Sequence, residues 1–360
     1  MGLAPRIENI ENGTTGPLSF RNKIINGNFD IWQRATSYSG VGGGSATNAS
    51  GYASADRWFA QAYAGSAGSG TTNFSIAQQV FTAGQIAVPS EPVYFCRFNA
   101  SAVGTQGGTG SMIRATQRIE SVRTFAGQTC TLSFWAKADT TRTYAVILTQ
   151  IFGTGGSSNV TAGQSTFSVT SAWQKFSITF TVPSISGKTV GTANDMLELN
   201  FVLYKQDNTI WGDTLGAIGT WSTTPYLDLS QVQIEKGSTA TAFEQRSIGL
   251  ETSLCQRYYQ VIQSGQITGA AASPTVIFFT INLPTTMRIG PSAGGGGASF
   301  KAWQASSNSI FTGGSVDAVN TSTPTSFEFQ CASFSPALTQ GSFCIFRGPT
   351  TGQFGLSAEL

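Results

Sequence analysis

The sequence predicts an all-β protein: an antiparallel β-sandwich of jelly-roll type, a short helical linker and a second, smaller β domain. Three observations predict it. Short segments alternate apolar and polar residues with the period of two that a half-buried strand requires. Clusters of Gly, Ser, Thr and Pro separate them, with no helical crossover between neighbours, which disfavours a parallel sheet. Charged residues make up only 11% of the 360 residues while glycine numbers 42, a composition of strands and turns.

In chain order, residues 1–22 are polar, lack sustained periodicity and read as an arm suited to docking on another protein. From Asn22, NKIINGNFDIWQR reads as an apolar strand interrupted by Asn-Gly, and SYSGVGGGSATNASG as a flexible loop. Strands follow at DRWFAQAY, TNFSIAQQV, VYFCRF, SMIRATQRIE, TCTLSFWAK, TYAVILTQIF, STFSVT, WQKFSITFTV, DMLELNFVLY and YLDLSQVQIE. In TLSFWAKA the residues Leu132, Phe134 and Ala136 share a face, as do Phe176, Ile178 and Phe180 in WQKFSITFTV. No fixed rung repeat is present, which argues against a β-helix.

These strands define a sandwich over 23–243. Leu250, Leu254 and Tyr258, spaced by four, mark a helical linker at 244–260. TVIFFTINL, SFKAWQA, SFEFQCASF and SFCIFRG then build a β domain over 261–360, with the Gly run at 294–297 as a loop.

A net charge of +2 is too small to make the basic field that nucleic acid or an anionic membrane attracts. No apolar run reaches the length of about 18 residues that spans a bilayer, so membrane insertion is not expected. The N-terminus lacks the charged start and apolar stretch of a signal peptide, so export by that route is not expected either. Cys96, Cys130, Cys255, Cys331 and Cys344 are odd in number and lack metal or redox spacing, which points to buried reduced thiols. The chain has no histidine, which removes the commonest general base and metal ligand together.

Four strings carry a resemblance: NKIINGNFDIWQRATS, YASADRW, RIESVRTFAGQTCTLSFWAKA, and LDLSQVQIEKGSTATAFEQRSIGLETSLCQRYYQ. Together they resemble the tail-fiber and head-fiber type structural proteins of tailed bacteriophages and prophages, over roughly 22–290. QVQIEKGSTATAFEQR followed by CQRYY is the most specific piece. Within that family the region from NGNFD to QIEKG is similar to the carbohydrate-binding-module jelly rolls attached to xylanases and related glycanases. The FFTINLPTTMRIGPS segment resembles the C-terminal β domain of such phage proteins, and Arg257 and Arg288 resemble a recurring feature of them.

The resemblance implies a non-enzymatic virion protein, assembled in the bacterial host cytoplasm, that binds glycans without cleaving them. Implied partners are other phage virion proteins (capsid, tail or adaptor), host cell-surface polysaccharide and two further copies in a homotrimer. No cofactor is required, although jelly-roll carbohydrate modules commonly hold a structural calcium where the first strand meets the last. The matching positions are Asp30 in NGNFD and Asp228 in YLDLSQ.

A glycan site needs flat aromatic platforms beside polar groups on rigid strands. Trp135 lies opposite the Phe134 side of its strand and is expected on an outer sheet face with Tyr144, Lys137 or Gln150. Trp211 and Trp221 sit in the polar stretch KQDNTIWGDTLGAIGTWSTTPY and are the other candidates. Trp32, Trp58 and Trp173 stand at strand starts and are expected to plug the core. Catalysis of glycoside cleavage would need two carboxylates flanking a bond. Asp195 and Glu198, read on one strand, point to opposite faces, and Asp228, Glu235 and Glu244 form no constellation. The rival readings are a purely architectural capsid, tail or head-fiber subunit and a capsule depolymerase.

Overall fold

The computed structural model describes residues 20–43, 49–63, 71–103, 111–206, 212–219, 225–262, 267–294, 300–349 and 354–360. It divides into two compact units, one running to Ile248 and one from Gly249 to Glu359, with Leu360 grouped with the first. The break falls within the stretch read as a linker.

Among its described residues the first unit carries twelve strands: β1 (Ser37–Gly43), β2 (Ala49–Gly51), β3 (Trp58–Tyr63), β4 (Thr71–Val80), β5 (Tyr94–Val103), β6 (Met112–Glu120), β7 (Thr129–Ala138), β8 (Arg142–Ile151), β9 (Val160–Val169), β10 (Gln174–Thr181), β11 (Met196–Lys205) and β12 (Tyr226–Lys236). The first sheet has the order β1-β4-β5-β12-β7-β10 and the second β2-β3-β6-β11-β8-β9. Every pairing within them is antiparallel. Successive strands repeatedly cross from one sheet to the other, which is the jelly-roll arrangement the alternating pattern predicts.

Alternation supplies the core. Leu132, Phe134 and Ala136 of β7, with Phe180 of β10, are buried between the sheets, and Phe176 and Ile178 pack against them. From the second sheet come Trp58, Val146, Leu148, Leu197, Leu199 and Phe201. A bulge between Ser230 and Gln233 shifts the parity of β12, so that Leu227 and Leu229 face inward before it and Val232 and Ile234 after it.

Two readings at the start of the sandwich are corrected. The segment read as an Asn-Gly-interrupted strand is irregular, because Asn26 and Phe29 take left-handed φ values of 57° and 59°. The Asn26 side chain holds the loop closed, accepting from Ile31 N at 3.0 Å and donating to Asp56 O at 3.0 Å. Gly27 passes so near β12 that a Cβ there would lie 2.1 Å from Val232 O. The loop inserts Phe29 into the core, 5.0 Å from the Trp58 ring.

The second correction concerns the Gly- and Ser-rich stretch read as a flexible loop, which contains β1 and β2. Small residues there obscure the alternation, but pairing of β1 along β4 fixes them in the sheet. Of the arm, residues 1–19 lie outside the described residues. Asn22 already belongs to the fold: it is buried and its Oδ1 accepts from Ile24 N and Ile234 N at 2.9 and 3.1 Å.

The second unit opens with α1 (Ile248–Gln256) and adds β13 (Tyr259–Ile262), β14 (Thr268–Ser273), β15 (Val276–Asn282), β16 (Ser292–Gly294), β17 (Phe300–Gln304), β18 (Ser309–Ser322), β19 (Ser326–Ala332), β20 (Phe343–Pro349) and β21 (Phe354–Ser357). Six strands close a barrel in the order β14-β15-β19-β18-β17-β20, and β13-β21-β16 form a separate sheet. Phe279, Phe327, Phe329 and Phe346 fill its core. Residues 295–297 of the Gly run lie outside the described residues. All five cysteines are free and buried.

Trp58 is fully buried, packs on Phe29, Phe98 and Phe201, and donates its indole N–H to Asn26 O at 3.1 Å. Trp58→Ala is expected to cost about 3–5 kcal/mol of unfolding free energy, read as a lowered midpoint in chemical denaturation.

Candidate functional site

The central strands of the first sheet place a row of charges and rings on the face turned away from the core. Cys96 and Phe98 of β5, Leu227 and Leu229 of β12, and Phe134 and Ala136 of β7 point inward. Their neighbours Arg97, Asp228, Trp135 and Lys137 therefore point outward. Register brings Asp228 directly beside Arg97 on one side and Lys137 on the other, while Trp135 lies between Ser230 and Lys175.

Arg97 grips Asp228 with both prongs of its fork: Nε donates to Oδ1 at 2.7 Å and Nη2 to Oδ2 at 2.8 Å. The Lys137 ammonium stands 3.7 Å from Oδ2. Each cation also covers an aromatic ring. The Arg97 guanidinium carbon is 3.9 Å from the centre of the Tyr226 ring, and Lys137 Nζ is 5.2 Å from those of Phe95 and Trp173. Phe81, Phe95 and Trp173 form a cluster with centroids 4.8–5.2 Å apart.

Asp228 is fully buried, whereas Trp135, Trp173 and Tyr226 are half-buried. Burial pushes the Asp228 carboxyl above its ordinary range, against the pull of Arg97 and Lys137. The same hydrogen bonds to Asp228 raise the Arg97 guanidinium further, so that it stays charged. The result is a rigid surface of amphipathic rings alternating with fixed charges.

Of the sequence candidates, Trp135 stands on this face with Lys137. Tyr144 does not. It is on β8, in the opposite sheet, because the connection after β7 crosses the sandwich. Only 1% of Tyr144 is exposed, and its hydroxyl donates to Tyr226 O at 3.1 Å. Together with Arg142, Leu203, Tyr204 and Pro225 it lines a cavity of about 300 Å³. Burial pushes its phenol well above the ordinary range. Gln150, also on β8, is buried and donates to Pro183 O at 3.0 Å. Trp211 and Trp221 lie outside the described residues.

Trp58 fills the core as expected and Trp32 packs against it, but Trp173 joins the outer row instead. Arg97, Tyr226, Phe81 and Phe95 were not foreseen. Alternation in VYFCRF and YLDL already separates Phe95, Arg97 and Tyr226 from the core, but which strands lie side by side is a long-range fact.

The two positions matched to calcium each have a side-chain partner within the protein. Both oxygens of Asp228 are held by Arg97, and Asp30 Oδ2 accepts from Asn28 Nδ2 at 2.9 Å. Among the described residues no group of three acidic or cysteine side chains is arranged to hold a metal ion.

The carboxylates weighed for catalysis are engaged elsewhere. Asp195 precedes β11 rather than lying on it, and its Oδ2 accepts from Val122 N at 2.8 Å. Glu235 accepts from Thr241 N at 2.8 Å, and Glu244 Oε2 accepts from Asn22 N at 2.8 Å. Glu198 belongs to a buried network on the second sheet. There Arg114 Nη1 reaches Glu198 Oε1 and Asn200 Oδ1, both at 2.7 Å, and Arg118 Nε reaches Glu198 Oε2 at 3.1 Å.

No family model matches the chain, and no curated protein matches it. Among solved structures it is similar to a family 4 carbohydrate-binding module, at 17% identity and a TM-score of 0.30, covering 59% of this chain and 98% of that one. It is similar to a family 11 module from Clostridium thermocellum in complex with a β-1,3-1,4-mixed-linked tetrasaccharide, at 9% identity, TM-score 0.28, 52% of this chain and 91% of that one. It is also similar to the enzymatically active domain of tailspike protein 4 of bacteriophage CBA120, at 14% identity and TM-score 0.32. That match covers 60% of this chain and only 21% of the tailspike chain. Likenesses this distant do not identify binding residues.

The buried network gives a stability prediction. Burial acts to raise Glu198, but Arg114 and Arg118 outweigh it and hold the carboxyl below its ordinary range. A depressed folded-state pKa contributes stability that is present above the unfolded value and lost as pH falls through the folded one. Glu198→Gln, which leaves Arg114 buried without its counter-charge, is expected to cost about 3–5 kcal/mol at neutral pH. Urea denaturation repeated at pH values below the ordinary glutamate range should show the wild type losing a component that the variant lacks.

Proposed function

We propose that this chain is a non-enzymatic, fiber-type subunit of a bacteriophage virion that binds host cell-surface polysaccharide across the outer face of its first sheet. The observation that carries the reading is the row Tyr226, Arg97, Asp228, Lys137 and Trp173, with Trp135 two residues before Lys137 on β7. Sugars offer apolar C–H faces that stack on half-exposed rings and hydroxyls that bond to charged groups. The charges here are already fixed by each other, so binding needs little rearrangement. Asp228 is fully buried between the two cations and orders them on the face.

The second unit supports self-association. Phe278 and Phe343 lie on either side of Ala270 in one row across β15, β14 and β20, and they are 38% and 48% exposed. Exposed rings in such a row mark an interaction surface. In a homotrimer, three weak glycan sites act together and raise the effective concentration of each. The sequence resemblance supplies the remaining partners, the capsid, tail or adaptor proteins of the particle.

Trp135→Ala and Trp173→Ala are each expected to weaken binding to host surface polysaccharide about tenfold or more, as for an aromatic hot spot. Affinity electrophoresis against purified polysaccharides checks this. Silence of the wild type on all of them would favour the architectural reading, and release of reducing ends would establish a depolymerase. Replacing Phe278 and Phe343 together by Lys is expected to convert a trimer to monomer in sedimentation velocity without unfolding the sandwich.

A further inference from the structure

Away from the charged row, one pair of opposite charges is sealed from solvent on the second sheet. A bulge between Val202 and Tyr204 returns Tyr204 to the core and turns Lys205, the last residue of β11, toward the opposite face beside Met112. On that face Val202, Ala145, Ile147 and Ile218 form a small apolar cluster against which Leu215 packs. The stretch 212–219 is clamped over it. Lys205 N donates to Ile218 O at 3.0 Å, Ile218 N donates to Lys205 O at 2.8 Å, and Thr214 N donates to Gln164 Oε1 at 3.1 Å.

Within this clamp Lys205 Nζ contacts Asp213 Oδ1, and both side chains are 0% exposed. The Leu215 N–H donates to the same Oδ1 at 3.0 Å. Asp213 Oδ2 is buried with no hydrogen-bond partner among the described residues. A charged pair in such surroundings carries a desolvation cost that a neutral product would remove.

We propose that Lys205 and Asp213 condense into an intramolecular isopeptide bond. One proton passes from Nζ to the unpartnered Oδ2, leaving a neutral amine facing a carboxylic acid. The Nζ lone pair then attacks Cγ, while the Leu215 N–H steadies the charge that develops on Oδ1. Collapse forms the Nζ–Cγ bond and breaks the Cγ–Oδ2 bond. Oδ2 leaves as water with its own proton and a second one from Nζ, and Oδ1 remains as the amide oxygen. Amine and acid give amide and water, with no oxidant, metal or cofactor. The product fastens the 212–219 strap to β11 by a covalent bond. It does not depend on glycan binding.

Mass spectrometry of the intact, full-length protein, folded during expression and then denatured, is expected to give the sequence mass less one water. Trypsin should fail to cut after Lys205 and leave one cross-linked species carrying residues 205 and 213. Lys205→Arg and Asp213→Ala should each restore the full sequence mass. A wild-type protein at full sequence mass overturns the proposal, and so does a water loss that persists in Lys205→Arg, which would be a cyclised aspartate. The wild-type mass decides the matter even where a variant fails to fold.

Discussion

The aromatic rings that meet between the two sheets fix which way every neighbouring side chain faces. Trp58 lies 5.0 Å from Phe29, 6.0 Å from Phe98 and 6.1 Å from Phe201, and Phe201 stands 5.0 Å from Phe134. These rings come from the irregular opening loop and from β3, β5, β7 and β11, so one contact set locks strands from both sheets. A one-residue slip in any of them would move its whole inward set to the outside. The outward row on the first sheet is thus a consequence of the core: once Phe98, Leu229 and Phe134 are inside, Arg97, Asp228 and Trp135 have only the other face to occupy.

The bulge in β12 then divides that outer face in two. Before it, Tyr226, Asp228 and Ser230 alternate outward beside Arg97 and Trp135. After it, Gln233 and Glu235 take the outward positions and are buried, bonded to each other at 2.8 Å and to Thr241. The opening loop depends on the same irregularity, since Val232 N donates to Gly27 O at 2.9 Å. One extra residue therefore anchors the start of the sandwich and ends the half-exposed charged row.

What could be read from the chain follows from this division between local and long-range information. Parity is local, so the inward faces of β7 and β10, the all-β class and the outward position of Trp135 were legible in TLSFWAKA and WQKFSITFTV. Sheet membership is not local. Tyr144 has the right residue type and follows β7 closely, yet the chain changes sheets between them, and its ring ends up inside. Trp173 shows the converse, since it opens a core-facing strand yet stacks on Phe81 and Phe95 outside. β1, β14 and β18 were missed because Gly, Ser and Ala give too little contrast between faces, and pairing with β4, β15 and β19 is what makes them strands.

Two of the buried charge sets, around Asp228 and around Asp213, use the same chemistry to opposite ends. Asp228 is buried, but the cations that hold it are themselves partly exposed, Arg97 by 27% and Lys137 by 24%. Lys205 and Asp213 have no such outlet, because the strap that brings them together also closes over them. A buried charge whose partner reaches solvent is stabilised by that partner. Two charges without such access are relieved by neutralising each other, and an amine held against a carboxyl can do so by forming a bond. The distinction rests on burial of the cation rather than of the acid.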